Sequence, residues 1–298
     1  MRQRLSALKI ILSLLVISSC SLDNENNNRT IEDIADEILD ATMLRYPSTP
    51  TFYSIENYRH DQLFNNSLDA LDQWQVKEDQ WLEELDAIGE PKEVGSRDWV
   101  TFGIIYESLA ASRHARVCRK ELWETSTTTA WYTGLPFIFD IQPLDSANLK
   151  SQALNRLGQV SHFIDREIEN LTIGLSQGYS SPRITVEAVP SEVRMLLEPN
   201  SPFLLMGERA EDEEFNNQVK DIFNDEIVPA ITRYAQFIEN TYLEQARDNI
   251  SISSNPDGSK CYPALVRSFS TIQPTADEIH DLGLQQIALI RSEMSKFS

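Results

Sequence analysis

The chain's pattern predicts an all-α fold, an extended multi-helix array with long loops and few or no strands. Three observations carry that expectation. Apolar residues recur at three- and four-residue spacing through nearly every patterned segment, which is the period of one helix face. Start and stop residues for helices (Thr, Ser, Gly, Pro) bracket those segments. No repeat period and no glycine-rich phosphate loop interrupts them.

In chain order, Thr30 precedes an apolar stripe of Ile31, Ile34, Ala35, Ile38 and Leu39, which predicts a capped amphipathic helix ending near Arg45, ahead of Pro47 and Pro50. Residues 46–66 are aromatic and irregular. Leu68, Leu71, Trp74, Leu82, Leu85 and Ile88 mark a second helix closed by Gly89. Trp99, Phe102, Tyr106, Leu109 and Val117 mark a third, from about 98 to 122. A mostly non-helical insert should follow, because Gly134, Pro136 and Pro143 break helices. One long helix is expected over 147–177 on Leu154, Leu157, Ile164, Ile168, Leu171 and Leu175, with Gly178 as its C′ residue. Val186, Val189, Val193 and Leu197 mark the next, interrupted at Pro190. Another runs from Phe215 to Tyr242, kinked at Pro229. A turn at 255–258 and a short helix around Tyr262, Leu265, Val266 and Phe269 lead to a last helix from Thr275, where Thr275 and Glu278 have capping-box spacing.

The front of the chain speaks of location. Arg2, Arg4 and Lys9 precede an apolar run over 10–17, too short to span a bilayer but of signal-peptide length. It leads into Ser18-Ser19-Cys20, which resembles the bacterial lipoprotein signal. Residues 1–19 read as a lipoprotein signal peptide, Cys20 as the lipidated residue, 20–29 as a polar flexible tether and 30–298 as the helical domain. Two or more acyl chains anchor stably where one does not. Ser21, in place of an Asp, points to the outer membrane, with the domain facing the periplasm.

Formal net charge is −20; removing residues 1–19 takes away three basic and no acidic groups. A field of that sign repels nucleic-acid phosphate, so nucleic-acid binding is excluded. Cys118 and Cys261 remain besides Cys20. An oxidising compartment permits a bridge between them, but the default for two such residues is unpaired burial as small apolar groups.

The search for chemistry yields little. His60, His114, His162 and His280 include no H-E-x-x-H pair. His114 and Cys118 lie four apart, yet a zinc site needs three or four ligands and no third is evident. His162 with Asp165, Arg166 and Glu169 reads as a solvated charged face. The acidic run 208–214 lacks the order of a calcium loop and suits a helix start. No G-x-S-x-G elbow occurs.

A set of ordered motifs says more. Asp165-Arg166-Glu167-Ile168-Glu169-Asn170-Leu171 is followed by Gly174, Gly178 and Pro182-Arg183-Ile184. Ser201-Pro202-Phe203 and Val228-Pro229-Ala230-Ile231-Thr232-Arg233-Tyr234 come next. Gly258-Ser259-Lys260-Cys261-Tyr262 then precedes Arg267, Pro274-Thr275, Glu278-Ile279-His280, Leu282-Gly283-Leu284, Ile290 and Met294. Together these resemble the N-terminal half of the bacterial family called domain of unknown function 885, from about Thr30 onward. The resemblance implies a helical, often lipid-anchored protein related to zinc metallopeptidases, with zinc bound in full-length relatives by a motif beyond the matched segment. No position here matches those ligands, so the expectation is no catalytic residue, no metal ligand, no cofactor in this chain and no hydrolysis by it alone.

Tyr262 and Arg267 are the candidates for lining a substrate groove, Arg267 by holding a peptide carboxylate; core packing and a surface ion pair are the plainer readings. The last helix shows no closing signal, and with the family match this leads to the expectation of a truncated chain. The alternative is a standalone, non-catalytic lipoprotein that binds a peptide or a protein partner.

Overall fold

The computed structural model describes residues 29–55 and 57–297. The signal peptide, Cys20 and most of the tether lie outside them. Among the described residues the fold is all-α, with a lone bridge between Pro182 and Arg247 as the nearest thing to a sheet. No helix among them is long and apolar enough to cross a membrane.

A first layer is built by α1 (Ile31–Arg45), α3 (Leu68–Ile88) and α4 (Arg97–Ala115), with the short α2 (Ser48–Phe52) between the first two. The Thr30 hydroxyl accepts from Asp33 N, and the Asp33 carboxylate accepts from Thr30 N, so Thr30 caps the helix as expected and two of the first turn's orphan N–H groups are satisfied. Ile31, Ile34, Trp81, Leu82, Leu85, Phe102, Leu109 and Ala110 interlock as this layer's core.

Past α4 the chain makes two single 3₁₀ turns, Arg116–Cys118 and Lys120–Leu122, hinged at Arg119 in the left-handed region. The expected third helix therefore stops short of 122. A larger core follows, made by α5 (Trp131–Asp140), α6 (Ala147–Leu157), α7 (Val160–Ser176), α8 (Arg183–Val186), α9 (Val189–Met195), α10 (Pro202–Arg209), α11 (Glu213–Ile222) and α12 (Val228–Phe237).

Two expectations fail here. The 127–143 insert is not mostly non-helical: α5 runs through Pro136. Trp131, Tyr132, Ile138 and Phe139 are buried on it, and that burial outweighs the one backbone hydrogen bond that Pro136 cannot make. The single helix over 147–177 is broken at Gly158-Gln159 into α6 and α7. Gln159 turns its side chain to the loop before α3, donating to Asp61 O (2.7 Å) and accepting from Leu63 N (3.0 Å).

From Glu213 to Gln245 the helix is continuous but underwound twice. A π turn at Phe223–Ile227 lies just before Pro229, and a second at Ile238–Tyr242 leads into α13 (Leu243–Gln245). The Pro229 kink is thus absorbed as a π bulge. Between the two cores, Gly174 lets the Leu122 carbonyl lie against α7, where a Cβ would come 1.8 Å from that oxygen.

The irregular 47–66 stretch is fastened by polar side chains. Arg156, fully buried on α6, donates to Gln62 O (2.9 Å), Thr51 Oγ1 (2.9 Å), Gln142 Oε1 (2.7 Å) and Pro47 O (3.1 Å). Asn170 donates to Asn66 O at 2.8 Å. The chain finishes with α14 (Gly258–Ser270) and α15 (Ala276–Met294).

Candidate functional site

The most family-like stretch builds a cavity of about 580 Å³ between the end of α4 and α14. Three features set α14 in place. Asp257 takes a left-handed conformation (φ 54°) and turns the chain into the helix. Gly258 then packs directly on the 3₁₀ turn Ile252–Ser254, where a Cβ would sit 2.1 Å from the Ile252 carbonyl oxygen. Third, Cys261 is bonded to Cys118, with a Cα separation of 4.7 Å. The default of two unpaired cysteines is thereby corrected: the turn after α4 brings Cys118 beneath α14, although 143 residues separate the pair.

Further along α14, Arg267 forms a forked ion pair with Glu107 of α4: Nε to Oε1 at 2.8 Å and Nη2 to Oε2 at 2.7 Å. The hydrogen bonds from Arg267 hold the Glu107 carboxyl below its usual range and raise the guanidinium in turn. The remaining nitrogen, Nη1, lies 3.2 Å from His114 Nδ1. That imidazole nitrogen also sits 2.7 Å from the Ala110 carbonyl. A carbonyl only accepts, and its contact is the shorter of the two, so we assign the proton to Nδ1, which donates it to Ala110. His114 therefore offers Arg267 no acceptor at that atom.

Both sequence candidates line this cavity. Tyr262 is 42% exposed at its rim. Arg267 forms a wall shared with a second cavity of about 450 Å³, and Glu107 lies on that second side. The remaining surface is mostly apolar, from Val117, Pro263, Ala264, Val266, Pro274 and Ala276. Lys260 completes the rim, its ammonium 2.8 Å from Asp257. The lining thus includes His114, Lys260 and Arg267 and no acidic side chain, in a chain whose net charge is −20. Sequence reasoning missed Glu107, His114 and the disulfide as parts of one site. No local pattern could have found Glu107, which meets Arg267 across 160 residues.

The described residues assemble no donor set for a zinc ion. Among the described residues no group of three or more His, Cys, Asp or Glu side chains could hold a metal. The His114–Cys118 pair is spent, the first with its Nδ1 on the Ala110 carbonyl and the second in the disulfide. His60 is buried, its Nδ1 2.9 Å from Thr51 Oγ1, and burial pushes its pKa down. Asp165 pairs with Arg233 (2.8 Å), and Asp212 caps α11.

The fold and site define an all-α protein with a disulfide-fastened cavity near its final helices. Residues 47–298 match the family described as bacterial protein of unknown function, DUF885, and the chain belongs to that family. No curated protein sequence matches it. Its fold is similar to that in "The crystal structure of the putative lipoprotein from Colwellia psychrerythraea", with a TM-score of 0.76 and 15% identity. The match covers 89% of this chain and 50% of that one, so the chain spans about half the length of the protein it resembles.

Proposed function

We propose that this chain is an exported envelope protein, anchored by lipid on Cys20 to the outer membrane and facing the periplasm. In this reading it supplies the N-terminal half of the helical framework of a zinc-metallopeptidase-like protein, takes peptide into the cavity bordered by Tyr262 and Arg267, and does not hydrolyse peptide by itself. The observation that carries the reading is the cavity: the two residues singled out from the family-like stretch line one concave, largely apolar space with a few polar groups, the usual form of a ligand site.

The surface of α15 supports the framework role. Leu282 (55% exposed), Ile287 (48%), Ile290 (54%) and Met294 (67%) stand in solvent. Together with Ile279 and Leu289 they make an apolar arc wider than a single coiled-coil seam. An arc of that width suits a covering helical layer, and half of the similar lipoprotein lies beyond the matched region. The disulfide supports export, since such bonds persist in oxidising compartments.

Two measurements test the proposal. Purified chain should show no EDTA-sensitive cleavage of a peptide library; cleavage of that kind would remove the non-catalytic reading. In a bacterial host the protein should partition with outer membranes, and Cys20→Ser should release it to the soluble fraction. Membrane partitioning that survives the substitution would remove the lipid anchor.

A further inference from the structure

We infer that the cavity under α14 recognises the free C-terminus of a peptide whose last side chain is apolar, with the carboxylate on Arg267 Nη1 and the side chain against Val117, Tyr262, Val266 and Pro274. The inference rests on the peptide-binding reading above and names which end of the peptide is held.

The chemistry follows from how Arg267 is used. Glu107 occupies Nε and Nη2 from the neighbouring cavity. It fixes the guanidinium plane and leaves the third nitrogen on the side of His114, a residue that lines the main cavity. His114 Nδ1 has committed its proton to Ala110 at 2.7 Å, so Nη1 keeps N–H donors with no acceptor there. An anion supplies that acceptor as a charge-assisted hydrogen bond. The lining has cationic groups and no carboxylate, with Glu107 and Asp257 placed behind Arg267 and beside Lys260. Beside this donor lies a mainly hydrocarbon surface in a space of about 580 Å³. One negative charge next to an apolar group is the ligand that satisfies both halves, and a peptide C-terminus ending in Leu or Phe has that form.

The test is a fluorescence-polarisation titration of the purified protein with a labelled hexapeptide ending in Ala-Leu. Free-acid and C-terminally amidated forms are compared, and dodecanoate is added as a competitor. The expected result is free-acid binding about 10- to 100-fold tighter than amide, the range for losing a hydrogen bond to a charged group. Ala264→Trp, which fills the cavity from a half-buried position on its lining, should abolish binding while the thermal unfolding transition stays cooperative. Arg267→Lys should bring acid and amide affinities together. Equal affinity of acid and amide overturns the inference while leaving peptide binding standing. Binding of neither overturns the peptide reading itself. Displacement by dodecanoate at concentrations where the peptide binds only weakly assigns the site to a fatty acid and overturns the peptide assignment. Binding untouched by Ala264→Trp places the site elsewhere and overturns the inference.

Discussion

Arg156→Met should destabilise the protein by about 3 kcal/mol, and two opposing quantities set that figure. Arg156 is fully buried and serves four acceptors: two backbone carbonyls, a hydroxyl and an amide oxygen. Leaving a buried acceptor unpaired costs about 1–3 kcal/mol. Carbonyls with a second lone pair, in a loop able to relax, belong near the lower end, so four come to roughly 6 kcal/mol. Against this stands the cost of keeping a guanidinium out of water. Among the described residues no ion pair joins Arg156; the Asp61 carboxylate helps it only through space, and burial pushes its pKa down to about 10. That displacement corresponds to roughly 3 kcal/mol disfavouring the charged form, and an apolar side chain of similar length recovers it.

The assay is urea unfolding of the wild type and variant, compared by midpoint and slope. Arg156→Lys separates the two terms. Lysine keeps the charge and its desolvation cost but cannot reach four acceptors with one ammonium, so it should be at least as damaging as Met. A Met variant within about 1 kcal/mol of wild type, or more stable, would show that desolvation outweighs the hydrogen bonds and would refute the account of Arg156 as the clamp on residues 47–62.

The other predictions concern single contacts. Cys118→Ser, or reductant, should lower stability by about 2–4 kcal/mol, read as a fall in Tm, with increased hydrogen exchange confined mainly to α14. Gly174→Ala should cost more than about 2 kcal/mol, because its Cβ would strike the Leu122 carbonyl at 1.8 Å. Gly283→Ala, on exposed α15 with nothing within 4 Å of the new Cβ, should be neutral or stabilising by up to about 1 kcal/mol. For Glu107, the folded-state pKa is depressed by Arg267, so its contribution is present above the unfolded carboxyl pKa and is lost as pH falls through the lower folded value. Glu107→Gln should therefore flatten the acid limb of the stability–pH curve, and an unchanged limb would show that the pair does not contribute.

The signals that could be read from the residues were local ones. Thr30 with Asp33 and Thr275 with Glu278 form the reciprocal caps seen in the structure, since capping needs only residues three apart. Apolar spacing found the helices α1, α3 and α4 for the same reason, but not that they pack together. The reading failed where a tertiary contact outvoted a local rule. Pro136 is tolerated inside α5 because Trp131, Ile138 and Phe139 are buried around it. The α6–α7 break depends on Gln159 finding Asp61 and Leu63, nearly a hundred residues away. At the site, Tyr262 and Arg267 were found through family-like motifs, but Glu107 and Cys118 are joined to them only by the fold. Periodicity cannot tell a cysteine or a glutamate awaiting a distant partner from a buried or solvated one.

These failures share a physical origin that also explains how the site is held. Apolar burial fixes the helices of the two cores, but the segments between and beyond them are attached by polar or covalent contacts. Residues 47–66 hang on Arg156, Gln159 and Asn170, each projecting from α6, α7 or the break between them. On α14 only Gly258 and Cys261 are buried, so its seat depends on the disulfide and the Arg267–Glu107 fork. Such attachments are directional, and losing one frees a segment without emptying a core. An intact core with a loosened α14 is then a distinct state: reduction of Cys118–Cys261 should open the cavity well before the helical cores melt. The separation can be measured, because hydrogen exchange under reductant would rise at 258–270 while α7 and α12 stay protected. Loss of protection in all three together would show that α14 is part of the cooperative core and not an appended wall.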